Sequence, residues 1–347
     1  MRKLRLLITA DPEIPVPPKL YGGIERIINS LCAGLTAKGH DVFLLSNPES
    51  TCAFAHRLNW RSRSSGSRSG SILNMLKTVE AFRTVRPDVI HSFSRLAYLA
   101  PLLLQKIPKV MSYQREPTAA TVGLAARLAR QGSLSFTGCS QYICNRGRGS
   151  GGVWAAINNF VDTDFFTAAP AGNAGGPLVF LSRVESIKGP DVAIEIARRT
   201  GRQLIIAGNH AASGPEFDFW TTKIRPLLGS NGIEYIGEVD DDAKRSLLGE
   251  AAALVVPIRW DEPFGIVFAE ALACGTPIIS CPRGALPEIV RHGIDGFLID
   301  SVDEGCEAVG RLNEIDRSVC HQRAVESFSK SVIVDKYEGL YWSMMPQ

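Results

Sequence analysis

The sequence has 347 residues, of which 45% are hydrophobic and 21% are charged, as is usual for a globular protein of one to three domains. No apolar run reaches the roughly 18 residues that a membrane-spanning helix requires. The first residues, Met1 to Ile8, are basic and then apolar. That apolar run is too short for a signal peptide, and it predicts a first buried strand.

Charge is distributed unevenly along the chain. Residues 1–166 hold 21 Lys and Arg against 10 Asp and Glu, a balance of +11, whereas the remaining residues hold 17 against 25, a balance of −8. The basic half predicts an anionic partner: a phosphorylated or acidic acceptor, an anionic membrane surface or nucleic acid. Mutual attraction of the two halves across a cleft is an equally good explanation of the asymmetry.

The eight cysteines are scattered and form no C-x-x-C pair. We interpret them as small core residues of a cytoplasmic protein, with neither a metal site nor a disulfide framework.

The first half alternates strand-like apolar runs with helical periodicity. Apolar residues recur at helical spacing from Ile24 to Leu35, between two predicted strands, which predicts a β–α–β unit with a right-handed crossover. The loop before this helix ends in Gly22-Gly23, where backbone N–H groups can approach a phosphate at the carboxyl edge of the sheet. The predicted strands of this half are Leu4–Thr9, Val42–Leu45, Asp88–Phe93, Lys109–Gln114 and Leu134–Ser140.

A basic, Ser- and Gly-rich stretch follows the second strand. Residues 50–79 contain no acid, and their composition predicts a flexible loop over 62–71. This loop is either disordered filler or a basic arm for an anionic acceptor or membrane surface. Its arginines are Arg57, Arg61, Arg63 and Arg68.

Polar residues end two of the later strands of this half. His91 lies at the end of one strand, and Gln114, Arg115 and Glu116 follow the next. Carboxyl ends of parallel strands share an edge, so we expect these residues on the same rim as Gly22. The match Gly147-x-Gly149-x-x-Gly152 follows a predicted helix, not a strand, and is therefore not a dinucleotide fingerprint.

A linker rich in Gly and Pro is predicted over 167–177, between domains at 1–166 and 178–331. The strand and helix alternation restarts after it, which predicts an α/β protein with two doubly wound, Rossmann-like sheets facing each other across a cleft. The predicted strands of the second half are Leu178–Val184, Gln203–Ala207, Glu234–Gly237, Ala253–Ile258, Pro277–Cys281 and Phe297–Ile299.

Charged residues follow the first strand of the second half. Arg183 offers a fork to phosphate oxygens and Lys188 a point charge, so together they can stabilise a diphosphate leaving group without a metal. The backbone of Gly237, Glu238 and Val239, after a later strand, can bind a nucleobase edge. The acids Asp240 to Asp242 are interpreted as a helix cap, not as a metal motif.

The stretch from Glu262 to Glu270, EPFGIVFAE, predicts a tight loop and a helix that starts near Gly265. The free N–H groups of Gly265 to Val267 can then hold a phosphate. Glu270 lies about one turn into the helix, where it can accept hydrogen bonds from a ribose diol. Glu262 precedes the helix and can bind hydroxyls of a transferred hexose.

The pattern Glu262-x7-Glu270, within PFGIVFAEALACGTPII, resembles the E-x7-E signature of the retaining glycosyltransferases of family 4 (group 1), which have the GT-B fold. The resemblance covers essentially the whole chain and is stronger in the second half. Supporting segments are Gly22-Gly23-Ile24-Glu25, Arg183, Lys188-Gly189, Asn159–Asp162, Gly284, Pro287–Val290, Gly293 and Gly296–Leu298.

The resemblance implies transfer of a hexose, with retention, from a UDP- or GDP-sugar to a hydroxyl of a sugar, lipid-linked or acidic glycan acceptor. Neither a metal nor another cofactor is expected, and the partners include no nucleic acid. The protein is expected in the cytoplasm, or at the inner face of the membrane through its basic half. A C-terminal helix, 332–347, is expected to cross back to the first domain.

The resemblance also implies roles for particular residues. Arg183 and Lys188 would bind the diphosphate and Glu270 the ribose. Gly23 would approach the donor phosphates from the first domain. Sugar and phosphate would contact Glu262 and the backbone of Phe264, Gly265, Ile266 and Val267.

One position departs from the family pattern. Many relatives have H-x-H where this chain has His91-Ser92-Phe93. The second histidine of that pattern is Phe93 here, which weakens the case for His91, although His91 stays among the catalytic candidates; Gln114, Arg115 or Glu116 would supply the missing polar contacts on the acceptor side.

The mechanism expected is a same-face transfer in which the donor phosphate accepts the proton of the acceptor. Three alternatives are a nicotinamide-dependent oxidoreductase, a nucleotide-sugar epimerase and a non-catalytic binding protein of the same fold.

Overall fold

The computed structural model of the chain describes residues 3–19, 22–168 and 174–345. The chain divides into two compact units. Unit 1 extends to Asn159 and takes in the segment from Lys330 onward, and unit 2 is Phe160–Ser329. These boundaries lie a few residues before the 166 and 331 that the sequence suggests. Five of the eleven residues of the linker predicted over 167–177, residues 169–173, lie outside the described part.

Unit 1 contains a seven-stranded parallel sheet in the order β3-β2-β1-β4-β5-β6-β7. The order reverses between β1 and β4, which are neighbours in the sheet. Its strands are β1 Arg5–Thr9, β2 Asp41–Ser46, β3 His56–Asn59, β4 Val89–Ser92, β5 Lys109–Tyr113, β6 Leu134–Gly138 and β7 Val153–Ala156. Its helices are α1 Gly23–Ala37, α2 Arg68–Val85, α3 Leu96–Leu99, α4 Ala119–Leu128, α5 Gln141–Arg148 and, from the C-terminal segment, α13 Lys330–Ser343, with a 3-10 turn at Ala100–Leu102.

The apolar strands of unit 1 are covered by helices on both faces, as a parallel sheet requires. On one face, Ala81 of α2, Val122 of α4 and Cys144 of α5 pack with Ile90 and Phe136 in a single core. On the other, α13 packs against α1, where the absent side chain of Gly34 makes room for Val334. Glu338 of α13 also accepts hydrogen bonds from Lys38 (2.6 Å).

The loop predicted over 62–71 is present at 62–67, but residues 68–71 already belong to a helix. β3 precedes this region, and α2 already begins at Arg68 with Ser67 as its cap. The intervening turn is held by Ser65, whose N–H donates to Glu13 (3.1 Å), and by Arg63, which pairs with Glu49 (2.6 Å). A basic composition therefore concealed ordered structure.

Unit 2 contains a six-stranded parallel sheet in the order β10-β9-β8-β11-β12-β13. Its strands are β8 Leu178–Leu181, β9 Leu204–Ala207, β10 Ile233–Gly237, β11 Ala253–Val256, β12 Ile278–Ser280 and β13 Gly296–Leu298. Its helices are α6 Pro190–Thr200, α7 Pro215–Phe219, α8 Asp241–Glu250, α9 Ile266–Ala273, α10 Leu286–Ile289, α11 Val302–Gly310 and α12 Arg317–Phe328, with 3-10 turns at Ser186–Lys188, Arg225–Leu227 and Leu312–Glu314 and a π-turn at Trp220–Ile224.

The strand order of unit 2 reverses between β8 and β11. From β8 the chain moves outward through β9 to β10, then returns to the other side of β8 as β11. α9 packs with α8 and α12, whereas α6 packs with α11. In open α/β sheets, ligands bind where such a reversal separates the loops at the carboxyl ends of the strands. The loops after β8 and β11 are therefore where a ligand site of unit 2 is expected.

In the described part of the chain, no helix combines the length and the apolarity needed to cross a membrane. The eight cysteines are all free thiols, six of them buried.

Candidate functional site

The loops after β8 and β11 meet in a buried ion pair. Lys188, at the end of the 3-10 turn after β8, donates to Glu262 Oε2 over 2.6 Å. Each residue is only 9% exposed. Two charges buried to this extent need one another, because an unpaired charge in such a place is costly. The point where the strand order of a doubly wound sheet reverses is its switch point. We call the Lys188–Glu262 pair the switch pair, because it lies at the switch point of unit 2, between β8 and β11.

Trp260 holds the switch pair from the side. Its ring lies under the Lys188 ammonium, 4.7 Å from ring centre to Nζ, and its indole N–H donates to Glu262 Oε2 over 3.0 Å. Both bonds converge on one carboxylate oxygen of Glu262. The other oxygen, Oε1, accepts no hydrogen bond from the residues that the structure describes, so it remains available to a ligand hydroxyl.

The main chain of Glu262 is fixed by the loop after β12. Ala285 N–H donates to the Glu262 carbonyl over 2.8 Å. A Cβ on Gly284 would lie 2.3 Å from that carbonyl oxygen, and Gly284 has a φ of +59°. Only glycine fits this close approach, so Gly284 positions Glu262.

The helix after Glu262 begins where the sequence predicts. Gly265, with a φ of +78°, precedes α9 and provides no side-chain cap, so the first backbone N–H groups of the helix have no partner within it. A Cβ on Gly265 would lie 3.2 Å from Cγ of Glu262. The switch pair and the positive end of α9 are therefore adjacent. Phe264 itself is buried, and its ring packs edge-on against Phe328 of α12.

Glu270 forms a second buried ion pair, with Lys244 of α8 at 2.9 Å. Lys244 also contacts Asp241 at 3.2 Å and lies 5.5 Å from the ring centre of Phe166. Burial by itself lowers the pKa of Lys244, but Glu270 and Asp241 outweigh burial and raise it above its usual range. Lys244 therefore stays charged and orients the Glu270 carboxylate.

Arg183 is separate from the switch pair. It follows β8 and pairs with Glu185 at 2.6 Å, with 42% of its side chain exposed. Close packing of Gly208 against the Ser182 carbonyl fixes the backbone just before it. Arg183 is thus an accessible cation at the same sheet edge, free to change partners.

Gly237 is the last residue of β10, and Glu238 and Val239 follow it, two strands from β8 in the sheet. Two strand spacings correspond to about 10 Å, which is the reach of a nucleoside from its diphosphate. Asp240 accepts a hydrogen bond from Ala243 N–H over 2.9 Å and caps α8. The interpretation of the three acids as a helix cap is therefore confirmed at Asp240.

His91 is not on an open rim, and that expectation is wrong. It is the third residue of β4 and is 1% exposed, beneath Tyr337 and Tyr341 of α13. Its Nδ1 lies 2.6 Å from the Tyr341 hydroxyl and its Nε2 lies 2.6 Å from the Ser112 hydroxyl. Burial lowers the pKa of His91 to about 3, so the ring is neutral, and both of its nitrogens are hydrogen-bonded.

The other unit 1 candidates lie after their strands as expected. Gly23 is the first residue of α1, and Arg115 and Glu116 are exposed. Glu116 pairs with Arg146. Both amide atoms of Gln114 are buried and have no hydrogen-bond partner among the described residues.

Sequence reasoning missed several residues at these edges. Trp260 contacts Lys188, which is far away in the sequence, and Lys244 lies 26 positions from Glu270. Neither residue belongs to a recognisable motif, so no local signal identified them. In unit 1, Asp11 and Glu25 also went unnoticed. Burial raises the pKa of both carboxyls, and each also interacts with Arg115.

Comparison with known proteins covers both units. Residues 21–165 match the family model described as Glycosyltransferase Family 4, and residues 174–315 match that of Glycosyl transferases group 1. A D-inositol 3-phosphate glycosyltransferase of Mycobacterium bovis (strain BCG / Pasteur 1173P2) is 31% identical over 129 residues. That stretch is 37% of this chain and spans only 27% of the length of that relative.

Solved structures match over nearly the whole chain. A glycosyltransferase from Rickettsia africae ESF-5 has a TM-score of 0.79 at 17% identity, with 99% of each chain covered. Anabaena Alr3699/HepE, in complex with UDP and glucose, has a TM-score of 0.72 at 17% identity, with 98% of this chain and 100% of that chain covered. At such identities the likeness establishes the fold.

Two doubly wound units, matched along their length by these structures, define the GT-B fold of glycosyltransferases. The chain belongs to glycosyltransferase family 4, because its first unit matches the model of that name and its second matches the group 1 model.

Proposed function

We propose that this protein transfers a hexose from a nucleoside diphosphate sugar to an acceptor hydroxyl, with retention of anomeric configuration and without a metal ion. The observation that carries the proposal is the buried Lys188–Glu262 pair, adjacent to the uncapped start of α9. A cation, a helix N-terminus and a hydrogen-bonding carboxylate at one switch point suit a phosphorylated sugar.

Each part of the donor has a partner in unit 2. The diphosphate lies against Lys188, Arg183 and the first N–H groups of α9, those of Gly265, Ile266 and Val267. The free Oε1 of Glu262 accepts a hydrogen bond from a sugar hydroxyl. Glu270, oriented by Lys244, accepts from the ribose diol. The backbone at 237–239 faces the base.

The reaction proceeds on one face of the sugar. The bond between the anomeric carbon and the diphosphate oxygen breaks, and the acceptor oxygen bonds to the same face of that carbon. The acceptor proton passes to the departing diphosphate oxygen. Lys188, Arg183 and the α9 N-terminus stabilise the negative charge that develops there. Fixed cations thus take the role that a divalent metal has in other enzymes.

The acceptor class follows from charge. The first 166 residues carry a balance of +11, which favours an acidic or lipid-linked glycan acceptor presented at the cytoplasmic face of a membrane. The relative from Mycobacterium bovis is named for an inositol phosphate acceptor, and the Anabaena structure is a complex with UDP and glucose. Both names support a nucleotide-sugar donor and a phosphorylated or glycan acceptor for this chain.

A thermal-melting screen tests the donor. Ligand at one hundred times its Kd stabilises a protein by about 2.7 kcal/mol, which raises Tm by roughly 5 °C or more in units of this size. We expect such a shift with one of UDP, GDP or ADP and with its hexose conjugates, without added metal and in the presence of EDTA. A saturable shift with NAD and none with nucleotide sugars would refute the proposal.

Product analysis separates transfer from the remaining alternatives. Incubation with the donor found in the melting screen should release nucleoside diphosphate slowly, by hydrolysis, in the absence of acceptor. Free epimerised sugar in that incubation would identify an epimerase. No turnover of any donor that binds would identify a binding protein.

A further inference from the structure

The outer sides of α2 and α4 in unit 1 expose large apolar residues. On α2, Ile72 is 57% exposed, Leu73 41% and Leu76 52%. On α4, Leu124 is 54% exposed and Leu128 49%. Ile72 and Leu76 of α2, and Leu124 and Leu128 of α4, are four positions apart, so each pair forms a short apolar stripe on one side of its helix, with Leu73 next to the α2 stripe.

These stripes lie on the same side of the unit 1 sheet. The connections from β3 to β4, β4 to β5 and β5 to β6 all run in one direction across the sheet, so right-handed crossovers place α2, α3 and α4 on one face. The buried sides of these helices confirm it, because they share one core. The turn at Ala100–Leu102 contacts α2, and Arg130 N–H just after α4 donates to the Leu103 carbonyl over 2.9 Å.

The loop between the 3-10 turn at Ala100–Leu102 and β5 adds to the exposed surface. Leu104 is 73% exposed, the largest value among the large hydrophobic residues. We call the outer sides of α2, residues 104–106 and α4 the α2–α4 surface.

The chain around this surface is strongly basic. Residues 50–161 contain 15 Lys and Arg and only 3 Asp and Glu. All three acids are engaged: Glu80 with Arg61 and Lys77, Glu116 with Arg146, and Asp88 with the backbone N–H of Arg5. In the ranges that the structure describes, Arg68 and Arg83 of α2 and Lys106 and Arg130 beside α4 form no ion pair.

Apolar and basic side chains share one face of α2, and this combination selects one kind of partner. Arg68, Ile72, Leu76 and Arg83 all point within about 40° of one direction, at 100° per residue. On a helix face of this kind, the apolar side chains insert below the headgroups of a bilayer and the basic side chains bind anionic lipids. Nucleic acid would use the arginines and leave the leucines exposed. A second copy of this surface would be repelled by its like charge.

We propose that the α2–α4 surface docks on the surface of an anionic lipid bilayer. The proposal deepens the membrane location suggested under the proposed function, but it does not depend on sugar transfer. Its occupant is the bilayer itself, through phosphate-bearing headgroups and the acyl boundary.

Flotation with vesicles tests this inference on the full-length protein. Vesicles of one part phosphatidylglycerol to two parts phosphatidylcholine are compared with phosphatidylcholine alone, at low and at high salt. We expect binding to the anionic vesicles only, weakened by salt, because each basic residue at such a surface contributes about fivefold in affinity.

Two pairs of variants separate the apolar and the charged contributions. Ile72→Ser/Leu76→Ser should weaken vesicle binding about tenfold through lost apolar insertion. Arg68→Glu/Arg83→Glu should weaken it by at least as much. The matched controls in unit 2 are Ile294→Ser/Val325→Ser, at residues 48% and 39% exposed, and Lys223→Glu/Arg225→Glu, and they should bind as wild type does.

Each outcome decides the matter. Equal binding to neutral vesicles, no binding to anionic vesicles, or wild-type binding by Ile72→Ser/Leu76→Ser would overturn the proposal. Tight binding of single-stranded RNA that this apolar pair leaves unchanged, without vesicle binding, would assign the surface to nucleic acid instead. The melting shift with nucleotide, measured on every variant, shows that folding and donor binding persist, so failure here is distinct from failure of the proposed function.

Discussion

The two units have the same strand order through their first six strands, but the residues at their switch points differ in charge. In unit 2, the loops after β8 and β11 bring Lys188 and Glu262 together beside the start of a helix. In unit 1, β1 and β4 meet in a closed set of hydroxyls, with Thr9 2.9 Å from both Ser92 and Ser94. The neutral His91 lies next to them in β4, bonded on both nitrogens. A doubly wound sheet provides the place for a ligand, and the residues there decide whether it is charged.

The comparison supports the proposal that unit 2 binds the donor. A diphosphate needs fixed cations, and unit 2 holds two of them at its sheet edge. The corresponding neutral network in unit 1 is already satisfied internally, so it stabilises the sheet and leaves ligand binding to the loops around it. Four predictions test this division, from the largest expected effect to the smallest.

The largest effect is expected from the charge of Lys188. Lys188→Met keeps an unbranched side chain over Trp260 but removes the ammonium, so sugar transfer should fall about 10²- to 10³-fold, as when other preorganised electrostatic groups are lost. Steady-state kinetics on the donor measure it. Arg183→Ala should also lower kcat, by less, because its side chain is more exposed.

The control for Lys188 is Lys223→Met, an exposed lysine of the same unit, which should leave kcat unchanged. If kcat stayed near wild type in both Lys188→Met and Arg183→Ala, charge stabilisation by these residues would be excluded, and with it the contrast between the two switch points.

The next effect separates the two carboxylates of the signature. Glu270→Ala should weaken binding of UDP, GDP and ADP alike, by about 10- to 100-fold, because a charged hydrogen-bond acceptor for the ribose is lost. Glu262→Ala should reduce sugar transfer more than nucleotide affinity. Calorimetric titration with nucleotides, next to transfer kinetics, distinguishes the two.

Glu270→Gln, which retains an acceptor oxygen for the ribose, serves as the matched control and should recover part of the affinity. Equal loss of nucleotide affinity in the Glu262→Ala and Glu270→Ala variants would show that the two residues do not divide sugar from ribose.

A smaller effect is expected from Trp260. Trp260→Phe keeps an aromatic face under Lys188 but removes the indole N–H that Glu262 accepts, so kcat should fall about tenfold, the usual cost of one hydrogen bond to a charged group. Nucleotide affinity should not change. Of the residues that we propose bind the donor, the Trp260 ring contacts Lys188 and Glu262 but not Glu270. Loss of affinity with unchanged kcat would place Trp260 on the nucleotide instead.

The smallest effect concerns His91 and appears in stability, not in activity. Its pKa is about 3 in the folded protein against an ordinary value of 6.5. The unfolded chain therefore binds a proton that the folded chain does not, and stability should fall as pH decreases from 6.5 toward 3, by up to about 1.4 kcal/mol per pH unit from this residue. Above pH 6.5 the contribution is complete and constant.

Urea unfolding across this pH range checks the sign. His91→Gln, which keeps polar groups in the network, should have a shallower fall than wild type, whereas His56→Gln, at an exposed histidine, should match wild type. An inflection near pH 6.5 in the transfer rate that disappears in His91→Gln would show that the ring titrates during catalysis after all.

Much of the fold was predictable because parallel strands are short apolar runs. Each predicted strand corresponds to an observed one, with ends that differ by a few residues. The start of α9 was also predictable, since Gly265 before an apolar helical run is a local signal. The elements that escaped include β3, β7 and α2, which are partly exposed or polar. The side of α2 that packs inward consists of Gly70, Asn74, Thr78, Ala81 and Val85, which form no hydrophobic pattern.

The site was predictable only in part. The residues around Gly265 predicted that Glu262 precedes α9 and that Glu270 lies within it. They could not predict the partners of these two carboxylates, because Lys188 lies 74 positions from Glu262 and Lys244 lies 26 positions from Glu270. His91 shows the opposite error, since its place near the end of β4 suggested exposure, and α13, about 250 residues away, covers it.

The sequence by itself determined the class of fold, the family and the stretch that starts α9, because each depends on residues close together in the chain. The tertiary structure decided which charges meet: Lys188 with Glu262, Lys244 with Glu270, and His91 with two hydroxyls in place of a ligand. The physical reason is that burial sets the cost of a charge, and burial depends on segments that meet only when the chain is folded.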